Sequence, residues 1–362
     1  MKSMNLFRFA ALAAAGVVVW LAAPAIQAQQ TREKVVVDDV DRTYTVRLPH
    51  GYDKEKHYPV MILLHGMGQD SDDMERLTQF DQLADKEGII AVYPLALHGR
   101  WNVGVRPKPQ QQMGPGYGRR RYGYPGGGGG YPGGGGGGYP NGGGNPNGQQ
   151  RGQKEDDQKK KTPETDDVAF FNQMLDDMGT KFSVDSSRVY AAGLSEGGFM
   201  SLRLGCALSD RIAAVASVAA SMPKTMICLP TRPVPLLMID GTSDPVVPYG
   251  GGTEHNLDLA TLSVEDSAKA WAKIDHCGEK PDKSKLDAKG KGSMETRVDT
   301  YNGCQQNASV VVYSVKGAGN TWPGGEQYEA ENTIGKTDQD LNGNEVVWKF
   351  LAGQKLAEKS AQ

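Results

Sequence analysis

The strongest chemical signal in this 362-residue chain is Gly193-Leu194-Ser195-Glu196-Gly197. Glycines two residues either side of a serine let the backbone turn sharply and present the hydroxyl, with the next N–H aimed at a developing oxyanion. Such a turn needs a strand before it and a helix after it, and the patterns at 188–192 and from Glu196 onward supply both. The alternative is an ordinary strand-to-helix turn in which Ser195 only caps the helix. His65-Gly66-Met67-Gly68 follows an earlier apolar run at 60–64 and offers a second oxyanion donor. The N–H groups of Met67 and Glu196 are the candidate oxyanion hole, with His65 bracing a loop as the plainer reading. Asp240-Gly241-Thr242-Ser243-Asp244-Pro245 ends a later run and offers two carboxylates, in the order nucleophile then acid. Together these groups could attack an acyl carbonyl through an acyl-serine. The six histidines are His50, His57, His65, His98, His255 and His276, and only the last two follow Asp244.

The elements that must position these groups alternate along the chain. Residues 34–48 read as one or two strands around a turn at 38–42, 60–64 as a buried strand, 70–87 as a helix and 89–93 as a strand. After Asp166 come a helix, the strand at 188–192, the helix from Glu196, strands at 213–218, 234–239 and 310–315, a helix at 264–274 and a closing helix around 346–351. Alternating strands and helices predict a mostly parallel sheet with helices on both faces. Ligands then gather outside the carboxyl ends of the strands, where His65, Gly193 and Asp240 begin loops.

Composition divides the chain. Lys2 and Arg8 precede an uncharged apolar run at 9–23, broken by Gly16 and followed by Pro24 and Ala25, which reads as a signal peptide (1–28) cut after Ala28. A permanent span needs roughly 20 apolar residues, so no stable membrane span is expected. Residues 106–162 hold 20 of the 47 glycines and almost no aliphatic side chain, and read as a disordered Gly/Pro/Tyr-rich basic insertion. One α/β domain is expected over 29–105 and 163–355, with a flexible tail at 356–362. Without leader and insertion, the body has 28 basic and 40 acidic residues, which argues against a nucleic-acid partner. Cys206, Cys228, Cys277 and Cys304 form no C-x-x-C pair and suit disulfides in an exported chain. Of three possible pairings, 206 with 228 and 277 with 304 close loops of moderate length and are favoured, at roughly 3 to 4 kcal/mol each. No metal or cofactor is expected: Gly114, Gly116 and Gly118 follow no strand, and Asp338-x-Asp340-x-Asn342-Gly343 meets Lys349 where a calcium loop needs glutamate. Asp340 or Asn342 is instead expected to cap the last helix.

Outside the insertion, the chain resembles the secreted polyhydroxybutyrate depolymerase and feruloyl esterase group of α/β-hydrolases. The resemblance rests on Leu64-His65-Gly66, the sequence around Ser195, Gly241-Thr242-Ser243-Asp244-Pro245-Val246-Val247-Pro248-Tyr249, and Trp322-Pro323-Gly324. It implies an α/β-hydrolase fold, Ser195 as nucleophile, Asp244 and not Asp240 as acid, and a histidine base directly before Thr321-Trp322-Pro323-Gly324. Here that position is Asn320. An amide is not basic near neutral pH and cannot take the serine proton. His255 is the candidate substitute base, while His276, beside Cys277, reads as structural. Trp101, Tyr249 and Trp322 are candidates for an apolar acyl pocket, with core packing as the alternative. The expectation is a secreted serine esterase, extracellular or periplasmic, acting on a polyhydroxyalkanoate-type polyester or on feruloyl or acetyl esters. The rival is an impaired relative that binds polyester or glycan. Which ester is taken, and the oligomeric state, stay open.

Overall fold

The computed structural model describes residues 29–104, 166–254, 258–286 and 293–357. The predicted leader, the whole Gly-rich stretch at 106–162, and His255 lie outside the described residues.

The chain opens with a hairpin of β1 (Gln30–Val37) and β2 (Val40–Arg47), turned by Asp38 and Asp39, both at positive φ. β3 (Tyr58–Leu64) and β4 (Ile90–Pro94) follow, buried on both faces as their continuous apolar runs require. The helix expected between them is two helices, α1 (Ser71–Thr78) and α2 (Phe80–Glu87), because Gln79 adopts a left-handed conformation at φ 48°. The turn in the axis carries Phe80 to complete burial. Asp166 caps α3 (Asp167–Lys181), which leads to β5 (Val184–Leu194), α4 (Glu196–Ala207), β6 (Ala214–Val218) and β7 (Leu236–Gly241). A short hairpin of β8 (Gly252–Glu254) and β9 (Leu259–Thr261) precedes α5 (Val264–Ile274). β10 (Asp282–Leu286), β11 (Thr296–Tyr301), β12 (Val310–Val315), α6 (Glu331–Ile334) and α7 (Gly343–Leu351) complete the order. Asn342 caps α7 through the Glu345 N–H at 3.2 Å, the capping role expected for this segment.

Ten strands form one sheet in the order β1-β2-β4-β3-β5-β6-β7-β12-β11-β10. The six from β4 to β12 run parallel, and both edges are antiparallel. Side chains from α3, α4 and α5 share one core cluster, and those from α1, α2 and α7 another. This is an α/β-hydrolase sheet with helices on both faces. Both favoured disulfides form, Cys206–Cys228 and Cys277–Cys304. The Leu356 N–H donates to Ser187 O at 2.9 Å and its side chain packs against the core. No helix among the described residues is long and apolar enough to cross a membrane.

Candidate active site

Ser195 sits between β5 and α4 at φ 55° and ψ −116°, a conformation that costs a non-glycine residue of order 1–3 kcal/mol. Its flanking glycines are required by contact. A Cβ on Gly193 would stand 2.2 Å from Gly197 O, and one on Gly197 would stand 2.2 Å from Leu64 O. The backbone on both sides is pinned, with Ser195 N–H bonded to Val218 O at 2.8 Å and Phe199 N–H to Ser195 O at 3.1 Å. Glu196 is the first residue of α4, so its N–H has no partner within the helix.

The loop after β3 lies against this elbow, since the Gly197 site also borders His65 O. Its geometry is set by His65, whose Nδ1–H donates to Gly66 O at 2.7 Å while Nε2 accepts from the Ala96 N–H at 3.1 Å. Burial lowers the pKa of this imidazole and keeps it neutral, as the two contacts require. His65 thus braces a loop. The Gly66 N–H is taken by Gln69 Oε1 at 2.8 Å and the Gly68 N–H by Gly99 O at 2.9 Å. Met67, between them, is bonded to neither through its N–H.

Asp244 follows β7. Its Oδ1 accepts from the N–H groups of Val246 (2.7 Å) and Val247 (2.9 Å), and its Oδ2 accepts from Asn320 Nδ2 at 2.8 Å. Burial raises its pKa to about 6, against the pull of those three donors. Asp240 has a different role: one oxygen accepts from the Ala220 N–H at 3.0 Å, while burial and the nearby Asp244 charge hold its pKa well above the usual range. It holds the loop after β6.

Asn320 is 1% exposed and follows β12. Its Nδ2 donates to Asp244 and, at 3.3 Å, to Ala219 O. Its Oδ1 accepts from the Tyr328 hydroxyl at 3.2 Å, and the same hydroxyl reaches Asn320 O at 2.8 Å. Relative to the acid, the amide nitrogen stands where a histidine would place Nδ1–H; the far ring nitrogen has no counterpart. Tyr328, a lone tyrosine in a polar loop, gave no signal in the sequence.

Each of the three aromatics named for an acyl pocket has a hydrogen-bond partner. Trp101 is 4% exposed, donates to His65 O at 2.9 Å and lies against the His65 and Phe171 rings. Trp322 is buried and donates to Asn344 Oδ1 at 2.9 Å. Tyr249 shares a 2.7 Å hydrogen bond with Ser314 Oγ and packs on the core. His276 directly precedes Cys277, which is bridged to Cys304. Among the described residues no group of three or more acidic, histidine or cysteine side chains could hold a metal.

The known proteins similar to this chain are esterases. Residues 39–119 match the model of a family described as putative esterase. The putative esterase NocK of Nocardia uniformis subsp. tsuyamanensis is 26% identical over 342 residues, covering 91% of this chain and 85% of its own. Feruloyl esterase B of Piromyces equi is 32% identical over 163 residues, 43% of this chain but 29% of that protein, so the chain spans under a third of it. A CE1 ferulic acid esterase structure from Anaeromyces mucronatus superposes with a TM-score of 0.42 at 17% identity, covering 88% and 91% of the two chains. The chain is similar to α/β-hydrolase esterases, and the sequence matches support carboxylic ester hydrolysis.

Proposed function

We propose that this chain is an exported serine esterase whose triad is complete except for its general base. The observation that carries the reading is the pairing of a strained, glycine-flanked Ser195 with an Asp244 that is hydrogen-bonded to position 320 at 2.8 Å. In the reaction, Ser195 Oγ attacks the ester carbonyl and its proton passes to an acceptor. Met67 and Glu196 N–H groups receive the developing oxyanion. The tetrahedral adduct expels the alcohol, which takes up a proton, and leaves an acyl-serine. Water then releases the carboxylic acid. Asn320 cannot accept the serine proton, so acceptance falls to solvent or to His255. A site reduced to oxyanion hole and binding keeps roughly 10³- to 10⁴-fold catalysis over water.

The substrate class is a carboxylic ester of the feruloyl, acetyl or hydroxyalkanoate type, polymeric forms included, supported by the resemblance around Ser195 and Asp244. The fully engaged Asn320 amide favours a second reading, in which the site binds such esters and turns them over very slowly. Both readings leave Ser195 as the acylated atom. Intact-mass analysis after incubation with p-nitrophenyl butyrate should show one butyryl group, mapped to Ser195 and absent from Ser195→Ala. A butyryl label that survives Ser195→Ala, or p-nitrophenol release that is unchanged in Ser195→Ala, contradicts the nucleophile.

A further inference from the structure

We propose that Arg100 is a positioning residue for the oxyanion hole, tying the loop that carries the Met67 N–H to the helix start that carries the Glu196 N–H. This inference rests on the serine esterase reading above. The segment from Leu95 to Asn102 is bonded to both halves. On the Met67 side, Ala96 N–H binds His65 Nε2, Trp101 Nε1 binds His65 O, and Gly99 O accepts from Gly68 N–H at 2.9 Å. Gly99 has φ 70°, and a Cβ there would already touch Gly68 Cα at 3.4 Å, so the two loops are in van der Waals contact. On the other side, Arg100 Nε donates to Glu196 Oε1 at 3.0 Å.

The Glu196 side chain is 1% exposed, and a buried carboxylate needs a partner; Arg100 is its cation. Glu196 carries both this anchored carboxylate and the candidate oxyanion N–H. Holding its side chain holds the peptide plane that joins it to the strained Ser195. Consecutive residues 99, 100 and 101 therefore contact both donors' supports, and a shift of that segment would change the spacing between them. A spacing tuned to an oxyanion stabilises a tetrahedral adduct more than a trigonal ester.

The test is the affinity of wild type, Arg100→Gln, Arg100→Lys and Glu196→Gln for butylboronic acid. This acid forms a tetrahedral serine adduct that places a hydroxyl in the oxyanion hole, and adduct formation can be followed by boron-11 NMR. Each protein is measured with position 320 as Asn and as His. Arg100→Gln should weaken the adduct about 10- to 100-fold, less than the loss of a whole oxyanion donor. Arg100→Lys should recover part of the affinity, and Glu196→Gln should lose a similar amount. The effects of Arg100→Gln and Glu196→Gln should not add in the double variant. If Arg100→Gln fails to fold, Arg100→Lys and Glu196→Gln carry the same comparison. An adduct of undiminished affinity in the folded variants, or losses that simply add, overturns the positioning role while leaving the esterase reading standing. No adduct with either residue at 320 overturns both.

Discussion

Asn320 is held from three directions, and that determines what a change at Tyr328 should do. The Tyr328 hydroxyl fixes the amide so that its nitrogen, not its oxygen, faces Asp244. A donor to a carboxylate favours the ionised form and lowers its pKa, so releasing the amide should let the Asp244 pKa rise above its present value of about 6. Tyr328→Phe should therefore move the Asp244 titration, followed by carbon-13 NMR of the carboxyl, to higher pH. It should also cost roughly 1–3 kcal/mol, because two buried acceptors on Asn320 lose their donor. An unchanged midpoint would mean that the amide holds its orientation without Tyr328. At this scale Ser195 was legible because it sits in a short contiguous sequence whose chemistry is local, whereas the choice of Asp244 over Asp240 and the meaning of Asn320 came from the resemblance. Tyr328 and Arg100 were not legible, since their roles depend on contacts with Asn320 and Glu196 from other loops.

The strand-turn-helix elbow was readable because glycine spacing and the change from strand to helix occur within a dozen residues. Its tolerances are visible only in three dimensions. Gly197→Ala would force a Cβ to 2.2 Å from Leu64 O, and backbone on both sides prevents relief. The expected outcome is destabilisation of about 3 kcal/mol or more, measured by urea unfolding, or no soluble protein. A loss under about 1 kcal/mol would show that β3 and the elbow can move apart. The split between α1 and α2 was hidden because neither glycine nor proline marks it; Gln79 takes a left-handed conformation so that Phe80 can pack. β10 was hidden for the opposite reason. All five of its residues are exposed and two are lysines, as suits an edge strand, so no apolar alternation announced it. The bond from the Trp322 indole to Asn344 was hidden because Asn344 lies on a later helix.

At the scale of the whole molecule, the ends of the Gly-rich stretch meet on the body. The Asn102 N–H donates to the Asp167 carboxylate, which also pairs with buried Arg42 at 2.6 Å, and Arg203 donates to Asn102 Oδ1 at 2.9 Å. The described residues on either side of the stretch thus lie at one place, and the entropy of closing a loop there depends only weakly on its length. Replacing residues 106–162 with a short Gly-Ser linker should leave the melting temperature within roughly a few degrees, read by differential scanning fluorimetry. A large fall would show that the stretch packs on the body. The parallel sheet and its two helical layers were legible from alternation alone, while the order of strands in the sheet comes from pairings between distant runs that periodicity does not encode.

The central claim is that this scaffold lacks only a proton acceptor, and steady-state hydrolysis of p-nitrophenyl butyrate by wild type and Asn320→His, with His255→Ala and Ser195→Ala as controls, tests it most directly. Asn320→His supplies the missing ring nitrogen beside an acid already placed at 2.8 Å from that side chain. The account predicts a kcat about 10²- to 10⁴-fold above wild type, the range general-base catalysis supplies, and loss of the gain when Ser195→Ala is added. Brisk wild-type turnover that disappears in His255→Ala and does not improve in Asn320→His would contradict it.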